Sequence, residues 1–485
     1  MKRLVQIFVV LAILVAGWSC ERDYLFRGGS DGVKLSADTI MFDTIFTTIG
    51  STTRQFRIYN PYSADMTIDD IRLAGGDDSK FRINVSGLPG PHISDVPIRS
   101  GDSIFVFVEV TIDPAGTDAP FVVMDSIIIF TRERMQSVKL IAYGQDVVLM
   151  KGQVLNTQTF TSNKPYLIYD YIHVDTTATL TIESGTRLHF YKNANLIVSG
   201  SLKVQGTKEE PVLFTGSRLE EWYADKPGQW GTIWLMPGSR NHEINYAIIK
   251  NGTRGLVVDS VGMNGSEPVY ISNSRIEHKM LQGLLAQSSS LVVSNSLFAD
   301  CGSASVALTV GGNYEFYFST IANYYQWAFR NRPALIVSNY YPDGATGAKV
   351  PHALENALFS NCIIYGQLEN EIELDFYEGE AGDPEDPDYV PPVINYQFEH
   401  SLIRMRSMPT TFNDPYNDYP HYRNVLINRD PFFKAPRDYD YRLDSLSVAI
   451  GAGDVTVARQ FPVDINGNNR EKKPDIGFMQ RVNSE

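Results

Sequence analysis

Residues 271–276 read ISNSRI, residues 293–298 read VSNSLF and residues 359–364 read FSNCII. Asn273, Asn295 and Asn361 are each followed, three places on, by a bulky apolar residue: Ile276, Phe298 and Ile364. The first step is 22 residues and the second is 66, three times 22. Such a period marks stacked units, none of which can bury its apolar face alone. An earlier copy runs from Asn245 to Ile248, and two degenerate ones, FYFSTI and FEHSLI, put Phe318 and His400 at the Asn place. The successive steps are 28, 22, 23, 43 and 39 residues, and polar insertions at 339–352 and 378–392 account for the two long ones. Stacked strands lie about 4.8 Å apart. A buried Asn at a bend then passes amide hydrogen bonds to its neighbours above and below, where an unpaired amide would cost roughly 1–3 kcal/mol. Asn245, Asn273, Asn295 and Asn361 are therefore expected to form a structural ladder. A ligand role for them is the weaker alternative, because a regular interior repeat is what packing requires.

The stretch 179–216 supports coiled rungs. Leu180/Ile182, Leu188/Phe190, Leu196/Val198, Leu202/Val204 and Val212/Phe214 alternate with polar residues, and Gly185, Gly200, Gly206 and Gly216 punctuate them. Strands this short gain stability by stacking into a parallel sheet.

Earlier in the chain a different pattern appears. From 37 to 147, short apolar alternations such as QFRIYN, GDSIFVFVEV and VKLIAYG are separated by turn residues, which fits an immunoglobulin-like sandwich. Phe105, Phe107 and Glu109 should share one strand face, and Ile104, Val106 and Val108 the other. Phe56-x-Ile58-x-Asn60, Gly101-Asp102-Ser103 and Tyr143-Gly144 resemble the ASH or Hydin-like sandwich domains. That resemblance implies a spacer or protein-contact module.

The start of the chain concerns export. Lys2 and Arg3 precede an apolar run from Leu4 to Trp18, and Ser19-Cys20 follows. The run is short for a membrane span and has the form of a secretory signal. Ser19-Cys20 resembles the lipobox of Bacteroidetes-type lipoproteins, although Gly17 stands where Leu or Val is usual. The resemblance implies acylation of Cys20, a membrane contact through that lipid, and a place in the cell envelope at the outer membrane. The alternative is plain secretion, with Cys20 inside a discarded peptide. Residues 1–20 are then the signal and 21–36 a tether. The remaining cysteines, Cys301 and Cys362, read as buried small residues.

The end of the chain closes the fold. DYDYRLDSLSVAIGAGD (438–454), DINGNNR (464–470) and PDIGFMQ (474–480) resemble the closing segment of bacterial right-handed parallel β-helix proteins of the pectin-lyase-like class. The chain is thus expected to be all-β. A sandwich at 37–147 precedes a right-handed parallel β-helix at 148–430, with a closing segment at 431–485. The closing motif is expected to seal exposed strand edges, and it is silent about activity.

Candidate chemistry is sparse. A formal charge of −14 argues against a nucleic-acid partner. The eight histidines show no zinc spacing, and no cofactor is expected. Glu371, Glu373 and Asp375 alternate with Ile372, Leu374 and Phe376. If the apolar set faces inward, three carboxylates line up outside as candidate catalytic or Ca²⁺-binding groups, beside an acidic loop running to Asp388. The alternative is a solvated acidic edge. An elimination base would come from another rung, with Arg254, Lys279 and Arg330 as candidates. Trp222, Tyr223, Trp230, Tyr324, Tyr325 and Trp327 sit in or beside loops as candidate ligand-binding residues. The competing reading is flank packing, and W-G-x-I-x-L (230–235) is itself a rung pattern. The expected role is a cell-envelope lipoprotein presenting a rigid surface to a glycan or a surface protein, without catalysis. A polysaccharide lyase or glycoside hydrolase is one alternative and a structural envelope component another.

Overall fold

Alternation decides the first unit. In the strand Ser103–Val110, Ile104, Val106, Val108 and Val110 are buried, while Phe107 and Glu109 face out. The computed structural model describes residues 32–132, 134–379, 392–406 and 421–482. These residues form two compact units, divided between Asp146 and Val147. Cys20, the signal and most of the tether lie outside the described residues, as does the acidic stretch 380–388.

The first unit is a sandwich of two five-stranded sheets. One sheet contains Arg54–Tyr59, Ser103–Val110 and Phe81–Val85, and the other contains Thr39–Phe46, Arg134–Gln145, Phe121–Thr131 and Met66–Leu73. Phe56, Ile58, Val106 and Val108 of the first sheet share one apolar core with Phe42, Ile71, Ile129 and Leu140 of the second. Asn60 is buried after its strand, and its amide donates to the carbonyls of Ala64, Ile98 and Arg99 at 2.8–3.1 Å.

The second unit is a parallel β-helix built from a continuous 26-stranded sheet. Each turn contributes short strands to three faces. One such turn comprises Ala247–Lys250, Leu256–Asp259 and Val269–Ser272, stacked in register on Arg275–Lys279 and on the two halves of Leu284–Ser294. The alternating pairs read from the sequence meet rung to rung. Leu180 lies on Leu202 and Ile182 on Val204, all fully or nearly fully buried. One core runs the length of this unit.

Backbone conformation explains the repeated letter more fully than amide bonding alone. Asn273, Asn295, Phe318, Asn361, His400 and Asn424 occupy equivalent positions on successive rungs, and all have φ between 44° and 56°. Asn is the side chain that best tolerates this left-handed region. The register corrects one assignment. Asn245 pairs with Ser272, so the left-handed corner on its rung is Tyr246, at φ 48°. Asn245 still joins from one place earlier: its Oδ1 accepts from Asn273 Nδ2 at 2.9 Å, and Asn273 Oδ1 accepts from Asn295 Nδ2 at 3.0 Å. Phe318 interrupts the column. Beyond it, Asn361 Oδ1 accepts instead from the backbone N–H of Asp454 in the closing segment, at 2.7 Å.

The residue after each corner forms a second ladder that the sequence reading missed. Ser274, Ser296, Ser319 and Ser401 are buried, and each hydroxyl donates to the carbonyl two residues before it. Their oxygens accept backbone N–H groups from Ala247, Ser274, Ser296 and Cys362 of the preceding rungs at 3.0–3.3 Å. Cys362 stands in the serine place, with Sγ 3.4 Å from the Ser360 carbonyl. Cys301 and Cys362 are free and buried, and burial pushes both thiols up to about 12.

Asn295→Val is expected to cost about 2–4 kcal/mol, from left-handed strain plus the loss of two amide hydrogen bonds, to Asn273 and to the Val463 carbonyl. Asn295→Gly keeps the corner and should cost about 1 kcal/mol. Denaturant midpoints measure the difference; equal losses would refute the corner argument.

The closing segment packs along the side of one face, and its contacts do not show the expected sealing of strand edges. Phe433, Tyr441, Leu443, Ile465, Ile476 and Phe478 pack on Leu297, Ala299, Ala322, Ile363 and Leu402, the outward residues of one face. Val463 O accepts from Asn295 Nδ2 at 3.1 Å, and the Phe478 N–H donates to Thr320 Oγ1 at 3.3 Å. Within the DINGNNR stretch, Asp464 is buried and accepts from the backbone N–H of Asn466, Asn468 and Gln480. Arg470, also buried, lies 4.3 Å from the Phe318 ring centre.

Candidate functional site

Three concavities on the β-helix unit bear on function. The one richest in exposed aromatic surface is a 460 Å³ cleft lined by Glu221, Trp222, Asp225, Trp327 and Tyr439. Its first wall is a loop between Val212–Gly216 and Ile233–Leu235. Gln229 Nε2 donates to the carbonyls of Tyr223 and Lys226 at 2.6 and 2.7 Å, and Asn251 Nδ2 donates to those of Tyr223 and Ala224 at 3.0 and 2.9 Å. Asn251 is itself at a left-handed corner, φ 68°, so a rung bend holds the loop that presents Trp222. Tyr223 supports this wall, with the Arg218 guanidinium 4.1 Å from its ring centre.

The second wall follows the strand Thr320–Asn323 and carries Trp327. Its base is a buried ion pair. Arg330 donates to Glu371 Oε1 and Oε2 at 2.6 and 2.8 Å, and also to the carbonyls of Asn323 and Arg332. The third wall is Tyr439 of the closing segment, at φ 63°. Trp222 and Trp327 are 69% and 39% exposed, their rings 6.2 Å apart and nearly perpendicular at 82°. Phe329, two residues after Trp327, is 91% exposed.

Beneath the cleft is a buried polar cluster. His278 packs edge-on against Tyr439 at 4.3 Å, and its Nε2 lies 3.7 Å from Asp225 Oδ1. Lys250 lies 3.7 Å from the same oxygen. Burial lowers the His278 pKa and so favours neutral imidazole. Deeper still, burial brings the Lys279 ammonium down to about 7 and Asp300 up to about 7. The Tyr441 hydroxyl donates to Asp300 at 2.6 Å.

The structure redistributes the sequence candidates. Trp230 is not a surface residue. It is fully buried, stacked on Phe190 at 4.3 Å, and its indole donates to the Lys250 carbonyl at 2.8 Å. Tyr325 is buried, and Tyr324 packs among Phe433 and Tyr441. Of the six aromatics, Trp222 and Trp327 line the cleft and Tyr223 buttresses it. Asp225, Glu221 and Tyr439 escaped the sequence reading. Asp225 carried no motif, and Tyr439 lies more than 200 residues from Trp222 in the closing segment.

The three carboxylates do not line up. Glu371 precedes the strand Ile372–Asp375 and is fully buried, so the expected outward row is corrected. Its oxygens are taken by Arg330 and by the backbone N–H groups of Ala334 and Leu368. Glu373 and Asp375 do line a 280 Å³ groove, together with Arg332, Tyr340, Tyr341 and Gln287. Each has its own partner: Arg332 is 3.5 Å from Glu373, and the Tyr340 hydroxyl donates to Asp375 at 2.5 Å. The basic residues in reach are thus Arg332 and Lys349, whose ammonium lies 4.0 Å from Asp375. Arg330 serves Glu371, Lys279 is enclosed, and Arg254 bonds Gln282 at 3.0 Å. Among the described residues, no group of three or more His, Cys, Asp or Glu side chains is placed to hold a metal ion, which leaves the Ca²⁺ expectation without a site there.

A third concavity, 620 Å³, lies outside another face and includes Lys203, His242, Glu243, Tyr270 and Phe461. His242 is fixed by Ser239 Oγ and by the Leu202 N–H, and burial pulls it down to about 4.

Residues 152–287 match the family model described as a pectate-lyase-like beta helix domain. No curated protein matches the chain. Among solved structures, a family 123 glycoside hydrolase from Clostridium perfringens, described in connection with glycolipid glycan hydrolysis, is similar at 6% identity with a TM-score of 0.18. That likeness covers 26% of this chain and 30% of the hydrolase, so the chain spans under a third of that protein's length.

Proposed function

We propose that this chain is an exported envelope lipoprotein that binds glycan, without catalysis, in the Trp222/Trp327 cleft. The observation that carries the reading is the pair of exposed, perpendicular indoles flanked by Glu221, Asp225 and Tyr439. Sugar rings offer C–H faces to aromatic rings and hydroxyls to carboxylates, and a pocket mixing the two fixes both position and orientation. The stacked rungs beneath supply a rigid platform, so binding orders few side chains. In this reading the N-terminal sandwich, immunoglobulin-like in kind, is a spacer. Acylated Cys20 holds the protein at the outer membrane.

A polysaccharide panel, read for binding and for unsaturated or reducing ends, tests the proposal. At least one glycan should bind and none should be cleaved. Trp222→Ala and Trp327→Ala should each weaken binding by about tenfold or more, roughly 1.4 kcal/mol. Products that disappear in Glu373→Ala would replace this reading with a lyase or hydrolase acting in the Arg332 groove. A panel without any binder would overturn it in favour of a protein partner or a structural role.

A further inference from the structure

The lining of the cleft is chemically narrow: three aromatic residues, Trp222, Trp327 and Tyr439, and two carboxylates, Glu221 and Asp225. Aromatic faces carry negative quadrupole charge, and rings grouped with carboxylates are the arrangement that attracts an ammonium group. Resting on the glycan reading above, we infer that the cleft selects a glycan bearing protonated amines, such as a glucosamine oligomer, over neutral and uronic-acid sugars.

Two further observations support this. The chain's own Lys226 ammonium already lies 5.9 Å from the Trp222 ring centre and 5.2 Å from that of Tyr223, so these rings draw a cation in the absence of ligand. Finally, the nearby cations leave one of the two carboxylates unpaired. Lys250 stands 3.7 Å from Asp225, and Glu221 has no ion-pair partner among the described residues. A uronate entering the cleft would meet uncompensated like charge at Glu221. An N-acetylated sugar would keep the stacking but lose the charge.

The test compares a glucosamine oligomer with its fully N-acetylated counterpart by calorimetry on the full chain, at a pH where the amines are protonated. The glucosamine oligomer should bind about tenfold tighter. Glu221→Gln and Asp225→Asn should each cut that preference at least about threefold, and Lys226→Gln should tighten glucosamine binding by removing a competing cation. Glu221 is exposed, so its variant tests the charge argument without touching the fold. Equal or tighter binding of the acetylated oligomer, or tighter binding of a polyuronate, would overturn the inference while leaving the glycan reading in place. The inference also fails if neither oligomer binds while another neutral glycan does. Loss of both oligomers and of every other glycan would sink the reading itself.

Discussion

Glu371→Ala should lower the stability of the β-helix unit by about 3–5 kcal/mol, the cost of leaving one buried ion-pair partner uncompensated. Arg330 and Glu371 are both buried, and the two short contacts between them form a bidentate pair. Removing the carboxylate strands a guanidinium out of water and also frees the N–H groups of Ala334 and Leu368. The damage should spread to ligand binding, because Arg330 also clamps the Asn323 and Arg332 carbonyls at the base of the Trp327 loop. Thermal and denaturant midpoints of Glu371→Ala, and of Arg330→Met with Glu371→Met, separate the contributions. The double replacement removes both charges and should recover much of the loss. A single variant as stable as the parent chain would show that Glu371 is free for chemistry, contrary to the geometry.

Trp230→Ala should cost about 3–5 kcal/mol, as for other large core aromatics. Phe190 stacks on the indole, the Lys279 ammonium lies 5.0 Å from its ring centre, and its N–H holds the Lys250 carbonyl. The truncation therefore opens a cavity, orphans a carbonyl and takes the aromatic face away from an enclosed amine. Trp230→Phe should cost less, because it refills part of the space while still losing the hydrogen bond. Trp222→Ala, at an exposed position, should leave the denaturation midpoint nearly unchanged and act on binding. The two tryptophans lie eight residues apart in the chain, so their opposite signatures in the same two assays are a sharp check.

How much of this was legible in the sequence follows from which physical signals are local. Alternation is local, and pairs such as Leu180/Ile182 and Leu202/Val204 gave the rungs correctly. The Asn period was legible too, but matching the letter placed Asn245 one residue off, because the true invariant is a left-handed corner that Tyr246 occupies. Alternation misled at Glu371, which precedes its strand, in a turn where side chains do not alternate in and out. Trp222 and Trp230 looked alike as aromatics near loops. The rung pattern W-G-x-I-x-L at 230–235 hinted at flank packing for Trp230, and its stacking on Phe190, a contact that crosses rungs, decides it. The cleft was half legible. Two of its aromatics could be named, whereas Asp225, three residues from Trp222, carried no motif, and Tyr439 joins them only through folding of a distant segment.

The most direct test of the central claim is to watch the indole N–H resonances of the full chain while titrating the tightest-binding glycan of the panel. The signals of Trp222 and Trp327 should move together with one affinity, while those of buried Trp230 and of Trp234 stay in place. Saturable binding that leaves Trp222 and Trp327 unmoved would contradict the account and send the search to the Arg332 groove.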